Sequence, residues 1–68
     1  MISEELIRNF KMFPDDWIKV SEAALMARVS AATVRRWIQE GKLPDVLKVR
    51  GRYWIYRPPF EKFIISEL

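Results

Sequence analysis

The stretch Ser21–Pro44, SEAALMARVSAATVRRWIQEGKLP, decides the fold of this chain. It holds two short segments of helical character, and Val29 and Ser30 interrupt them. The first segment is expected to begin with Ser21 as its N-cap and to continue to Ala27. Ser30 is well suited to cap the segment that follows. The stretch therefore predicts two tandem helices joined by a tight turn, the helix-turn-helix arrangement.

The second helix of this pair is expected to span residues 31–40 and to end with Gly41 at C′. Val34, Trp37 and Ile38 recur at i, i+3 and i+4, so this stripe is expected to pack inward, with Trp37 as a core anchor and not a platform for base stacking. The opposite face then consists of Ala32, Arg36 and Gln39, with Thr33, Arg35 and Glu40 on its flanks.

A short amphipathic helix is expected before this unit, over Ser3–Met12, with Ser3 as its N-cap candidate. It is interpreted as a lid on the core, and the alternative is a role in binding a partner. Phe13–Asp16 is typical of a turn, and Trp17–Val20 of a brief extended segment that leads into the next helix.

A β-hairpin is predicted over Val46–Tyr56, because β-branched and aromatic residues surround a Gly flanked by arginines. Two registers are open. A two-residue turn at Arg50–Gly51 places Val49 on the same face as Arg52, whereas a three-residue loop pairs Val49 with Tyr53. The second register keeps apolar groups together and is the one favoured here.

After the hairpin, a closing helix is expected from Pro58–Pro59, with its apolar residues at helical spacing: Phe60, Phe63, Ile64 and Leu68.

Length and composition limit the function. The chain has 68 residues, with no Cys and no His, so one small domain is expected. A zinc site of the usual kind, a nucleophile paired with His and a disulfide framework are excluded. The chain is therefore expected to be no enzyme and to carry no cofactor. It has no apolar stretch of about 20 residues and its start is acidic, so a cytoplasmic protein is expected.

The net charge of +3 is unevenly distributed. Residues 28–57 hold eight basic and two acidic side chains, a local charge of +6, while residues 1–27 carry −2. Four aromatic residues are interleaved with the basic ones: Trp37, Tyr53, Trp54 and Tyr56. Trp54 is left open between a core residue and a base-stacking platform, since a large ring on a short wing could end up half-exposed. Such a segment is typical of a surface that meets phosphates, and the alternative is a solvated basic face.

The residues from 17 to 64 resemble the excisionase branch of the MerR-like winged-helix DNA-binding domains. The segments that carry the resemblance are Val20–Ala24, Val29–Ser30, Thr33–Ile38, Glu40–Pro44, the hairpin and the aromatic closing helix. In this family the turn between the helices usually has Gly or another small residue where this chain has Arg28. The resemblance implies an α+β, mainly helical fold: a small winged helix-turn-helix with a two-stranded wing and a closing C-terminal helix. One domain then covers residues 1–68, with an additional N-terminal helix over 1–13 and a family-like core over 17–65.

The resemblance also implies a function, that of a recombination directionality factor. Such a protein binds repeated sites beside an attachment site, bends the DNA and directs an integrase toward excision. Its expected partners are double-stranded DNA, a site-specific integrase and further copies of itself, which load cooperatively because the acidic first half of one copy faces the basic wing of the next. It would be nucleoid-associated when bound in a bacterial cell. The alternatives are a small transcription regulator of phage or mobile-element genes and a protein-interaction module that uses the basic face.

The residues expected to contact DNA fall into two groups. The recognition-helix group is Ser30, Ala32, Thr33, Arg35, Arg36 and Gln39, and the wing and flank group is Lys42, Lys48, Arg50 and Arg52. Arg and Gln at outward positions can each form two hydrogen bonds with guanine and adenine, respectively, and the wing cations suit phosphates or a minor groove.

Overall fold

The computed structural model of the protein describes residues 4–67, so the N-cap expected at Ser3 and the apolar contact expected of Leu68 lie outside the described residues. The elements in chain order are α1 (Glu4–Met12), a 3-10 turn (Pro14–Asp16), β1 (Trp17–Lys19), α2 (Val20–Ala27), α3 (Ala31–Gln39), β2 (Val46–Val49), β3 (Arg52–Tyr56) and α4 (Arg57–Glu67). The predicted fold class is confirmed: a mainly helical winged helix-turn-helix with a small antiparallel sheet.

Helix α2 begins at Val20, two residues earlier than an N-cap at Ser21 implies. Ser21 is not the N-cap, because the chain passes directly from strand β1 into the helix and Lys19 takes that position with an extended backbone. The side chain of Lys19 makes no capping hydrogen bond. Ser21 therefore lies inside the first turn. The backbone N–H groups at the start of α2 have no capping side chain at the N-cap position.

The turn between α2 and α3 is built on Arg28, which adopts the left-handed conformation with φ of 57°. The N–H of Arg28 donates to the carbonyl of Leu25 at 3.3 Å, and that of Val29 donates to Ala24 at 3.0 Å. These two bonds form a Schellman motif, which usually has Gly at the left-handed position. Arg28 thus makes the turn that a glycine makes in similar domains, against a steric cost.

Both capping residues predicted for helix α3 are confirmed. The Oγ of Ser30 accepts a hydrogen bond from the N–H of Thr33 at 3.2 Å, which confirms Ser30 as the N-cap. At the other end Gly41 has φ of 71°, and the N–H of Lys42 donates to the carbonyl of Trp37 at 2.9 Å. The helix ends at Gln39, one residue before the predicted limit.

The sheet has three antiparallel strands in the order β1-β3-β2. The predicted two-stranded wing, β2 and β3, is present, but the wing is not the whole sheet, because Trp17–Lys19 forms a third strand against β3. Strand β1 pairs Ile18 with Ile55. Three residues are too few to show a strand period, which is why only an extended segment was predicted there.

The favoured register of the hairpin is wrong. Val49 pairs with Arg52, so the turn has two residues, Arg50 and Gly51, and not three. Their φ values of 52° and 79° are those of a type I′ turn, whose twist matches that of the strands it joins. The argument from apolar grouping failed because both faces of the sheet are covered. Leu47, which pairs with Trp54 on the face away from the main core, is only 1% exposed.

The main core lies on one face of the sheet. Ile18 and Ile55 project from that face, and Ala23, Val34 and Phe60 from the helices beside it are fully buried. Trp37 belongs to this cluster and packs edge-on against Phe63, with 5.3 Å between the ring centres. The prediction that Trp37 is a core anchor is confirmed.

Helix α1 covers the opposite face of the sheet. The ring of Phe10 lies 5.7 Å from that of Trp17 and 5.4 Å from that of Trp54, measured between ring centres. The indole N–H of Trp17 donates to the Oδ1 of Asn9 at 2.9 Å. This second aromatic cluster explains how Leu47 and Trp17 are buried although neither belongs to the main core.

Candidate nucleic-acid interface

The outward face of α3 carries the side chains that the sequence placed there. Ala32, Arg36 and Gln39 are exposed, and Arg35 beside them is exposed as well. Val34, on the inward stripe, is 0% exposed. The amphipathic pattern was therefore interpreted with the correct orientation, and the exposed ridge of the helix ends in one guanidinium and one amide.

Ser30 and Thr33 are joined to each other at the start of α3. Their hydroxyl oxygens lie 3.0 Å apart, and the N–H of Thr33 is occupied by the Ser30 cap. Ser30 is exposed and Thr33 half-buried. Of these groups, only the hydroxyls are left to meet a phosphate, because the Thr33 amide is already satisfied.

A pocket of 330 Å³ joins α3 to the wing. We call it the helix-side pocket. Its lining residues are Lys19, Val20, Ser21, Arg35, Gly51, Arg52 and Tyr53. Arg35 comes from α3, Arg52 from the wing, and Val20 and Ser21 from the first turn of α2. The fold therefore brings two predicted cations from distant parts of the sequence to one concavity, beside the open N–H groups of a helix start.

The remaining predicted cations do not line this pocket. Arg50 is exposed at the wing turn, and Lys48 is exposed with its Nζ 5.5 Å from the centre of the Tyr53 ring. Lys42 is exposed but lies 3.6 Å from a carboxylate oxygen of Glu40, which offsets part of its charge. Arg36, Arg50 and Arg52 have no such carboxylate partner within residues 4–67, where the other ion pairs join Arg57 to Asp16 and to Glu61.

Lys19 is a residue of this surface that the sequence did not indicate. It lines the helix-side pocket, and its Nζ lies 5.8 Å from the centre of the Trp54 ring. Trp54 is half-buried, which is the half-exposed position considered for a large ring on a short wing. Lys19 sits outside the run of basic residues that begins at Arg28, and only the pairing of β1 with β3 brings it to the wing.

Comparison with known families agrees with this geometry. The model of a helix-turn-helix domain family matches residues 17–58, more than half of the chain. The chain belongs to this family. No curated protein and no solved structure matches it. Domains of this family are typically non-enzymatic, and duplex DNA is the partner that membership indicates. The match begins at β1 and ends in the first turn of α4, so α1 lies outside it.

Two further properties concern the described residues only. None of the helices within residues 4–67 is long and apolar enough to cross a membrane. The same part of the chain has no group of three or more Asp or Glu side chains placed to hold a metal ion.

Proposed function

We propose that the protein is an excisionase: a sequence-specific, DNA-bending accessory protein that directs an integrase toward excision. The observation that carries the DNA-binding part of this proposal is the meeting of Arg35 and Arg52 in the helix-side pocket. Since these two arginines meet, the exposed ridge of α3 and the tip of the wing form one continuous basic surface. A domain that binds a duplex with both a helix and a wing requires such a surface.

Base reading is assigned to the outward ridge of α3. A major groove about 12 Å wide admits one helix. There Arg36 can form two hydrogen bonds with guanine, Gln39 can do the same with adenine, and Ala32 can pack against a thymine methyl group. All three side chains are exposed and project from the side of α3 opposite the buried Val34.

Positioning on the phosphate backbone is assigned to the surrounding groups. These are Ser30, Thr33, Arg35, Lys42, Lys48, Arg50 and Arg52, and we add Lys19 because it lines the helix-side pocket. Phosphate contacts fix the orientation of a protein on the duplex and contribute most of the salt-dependent affinity. The wing cations would enter or flank the minor groove next to the major groove that α3 occupies.

The excisionase role rests on the resemblance of residues 17–64 to that family and on size. One helix and one wing bury a protein surface near the single-module range of roughly 600–1,000 Å². Such an interface is too small to distinguish a few specific sites from many competing ones. Neighbouring copies on repeated sites would add contacts with each other. The acidic residues Glu4, Asp15 and Glu22 are exposed, and Arg50 and Arg52 are exposed on the wing, so head-to-tail contact has complementary charge.

The test begins by selecting bound duplexes from a randomised library and reading how the selected sites are arranged. Direct repeats bound cooperatively, with a bend that increases from the singly to the doubly bound complex in a gel assay, support the excisionase. An inverted repeat with half-sites about 10 bp apart, bound without added bending, would instead favour a transcription regulator. The last part of the proposal is tested by adding a site-specific integrase to a substrate that carries the selected repeats and measuring whether recombination shifts toward excision.

A further inference from the structure

The wing has a second concavity on its other side. This groove of 650 Å³, called here the lid-side groove, is lined by Phe10, Val49, Arg50, Arg52 and Trp54. Phe10 belongs to α1, outside the segment that the helix-turn-helix family covers. The DNA contacts proposed above leave Phe10, Val49 and Trp54 without a role.

The two concavities lie on opposite faces of strand β3. Tyr53 lines the helix-side pocket and Trp54 lines the lid-side groove, and consecutive residues of a strand project to opposite faces. Arg52 lines both. The turn divides in the same way, because Gly51 lines the pocket and Arg50 lines the groove.

The lining of the groove has a definite chemistry. Its walls are apolar and aromatic, from Phe10, Val49 and Trp54, and its charged groups are the guanidinium groups of Arg50 and Arg52. Lys19, which lines the helix-side pocket, places its Nζ 5.8 Å from the centre of the Trp54 ring. None of the five lining residues is acidic. The deoxyribose-phosphate backbone matches this lining, because its phosphate anions suit the guanidinium groups and the C–H groups of its sugar rings can pack against apolar and aromatic side chains.

We propose that the lid-side groove holds the sugar-phosphate backbone of the DNA strand that lies across the minor groove from the helix-side pocket. The minor groove of B-DNA is only about 6 Å wide, so a wing tip placed in it has a backbone on each side. The helix-side pocket takes one backbone and the lid-side groove takes the other. This inference rests on the proposed DNA binding, and it makes α1, through Phe10, part of the DNA-binding surface.

Trp54 gives a direct measurement on the unmodified protein. Trp17 and Trp37 are 4% and 9% exposed, so acrylamide quenching of the fluorescence reports chiefly on the half-buried Trp54. Saturation with a 20-bp mixed-sequence duplex at low salt is expected to reduce the quenching constant at least twofold. Polyglutamate is the comparison probe for an acidic protein partner. Protection by polyglutamate and not by the duplex would overturn the proposal in favour of such a partner.

Substitutions at Val49 test the groove itself, with Ile65 as the matched control because it is 81% exposed on α4 and lines neither concavity. Val49→Asp is expected to weaken duplex binding at least fivefold more than Ile65→Asp, which makes the same change in net charge. Val49→Lys is expected to steepen the log-log salt slope by about one relative to Ile65→Lys, since a new phosphate contact releases one more counterion. If Val49→Asp fails to fold, the comparison of Val49→Lys with Ile65→Lys and the quenching experiment still test the role of the groove.

The two proposals fail in different ways. If the duplex does not bind at low salt, the proposed function fails. If the duplex binds while Trp54 stays as accessible as in the free protein and the Val49 variants behave like the Ile65 variants, DNA binding stands and the role of the groove is overturned.

Discussion

Arg28 and Arg50 share the left-handed backbone conformation, with φ of 57° and 52°, and they are the non-glycine residues within positions 4–67 that do so. Arg28 ends α2 and makes the turn before α3, while Arg50 begins the wing turn. An L-residue pays roughly 1–2 kcal/mol for this conformation. Both turns that orient the basic surface therefore carry local strain at an arginine.

Replacing Arg28 with glycine is expected to stabilise the protein. Glycine adopts the left-handed conformation without a clash of its Cβ, so Arg28→Gly should raise the free energy of unfolding by about 1 kcal/mol. Urea denaturation followed by circular dichroism measures the change. Arg28→Ala is the control, because alanine also lacks the guanidinium but keeps the Cβ, and it should show no comparable gain. Equal gains from the two variants would place the effect in the charge and not in the backbone.

Arg50→Asn is expected to move stability and DNA affinity in opposite directions. Asn-Gly is the preferred pair in a type I′ turn, so the hairpin should become more stable by a few tenths to about 1 kcal/mol. The guanidinium proposed for a phosphate contact is lost, so duplex binding should weaken on specific and random DNA alike. Thermal unfolding and fluorescence anisotropy check the two effects. An unchanged affinity would remove Arg50 from the DNA-binding surface.

DNA affinity is expected to fall steeply with salt. Six or so phosphate contacts give a log-log slope of roughly −5 between affinity and salt concentration. Anisotropy titrations of one duplex between about 50 and 200 mM NaCl measure the slope. A slope near zero would exclude the phosphate backbone as the main ligand of the basic surface.

Arg36→Ala and Arg52→Ala are expected to differ in selectivity. Arg36 lies on the outward ridge of α3, so its loss should cost on the order of 1–3 kcal/mol on the specific site and little on random DNA. Arg52 lines both concavities of the wing, so its loss should weaken both kinds of binding together. The ratio of specific to random affinity is the readout. A ratio changed equally by both variants would remove base reading from Arg36.

The helical part of the fold could be predicted because its signals are local. Ser30 and Gly41 set the ends of α3, and the spacing of Val34 and Trp37 oriented it. Each of these features depends on residues within one or two turns of each other. Prediction of the exposed ridge with Arg36 and Gln39 followed from the same periodicity.

The sheet could be predicted only in part because its contacts join distant residues. Ile18 and Ile55 pair although they lie 37 positions apart in the sequence. The three residues of β1 carry no local pattern that indicates this pairing. The register of the wing depended on whether the second face of the sheet is covered. That covering comes from Phe10, far away in the sequence, so the local pattern of the hairpin favoured the wrong turn.

The hydrogen bond between Asn9 and Trp17 crosses the boundary at which the family match begins. A fragment cut at Trp17 would keep every predicted DNA-contacting side chain and yet leave Leu47, Trp17 and Trp54 bare to water on one side of the sheet. An uncovered apolar surface of this kind promotes association and aggregation. The unit that keeps both faces of the sheet covered is therefore longer than the matched motif, and α1 is the segment that makes the difference.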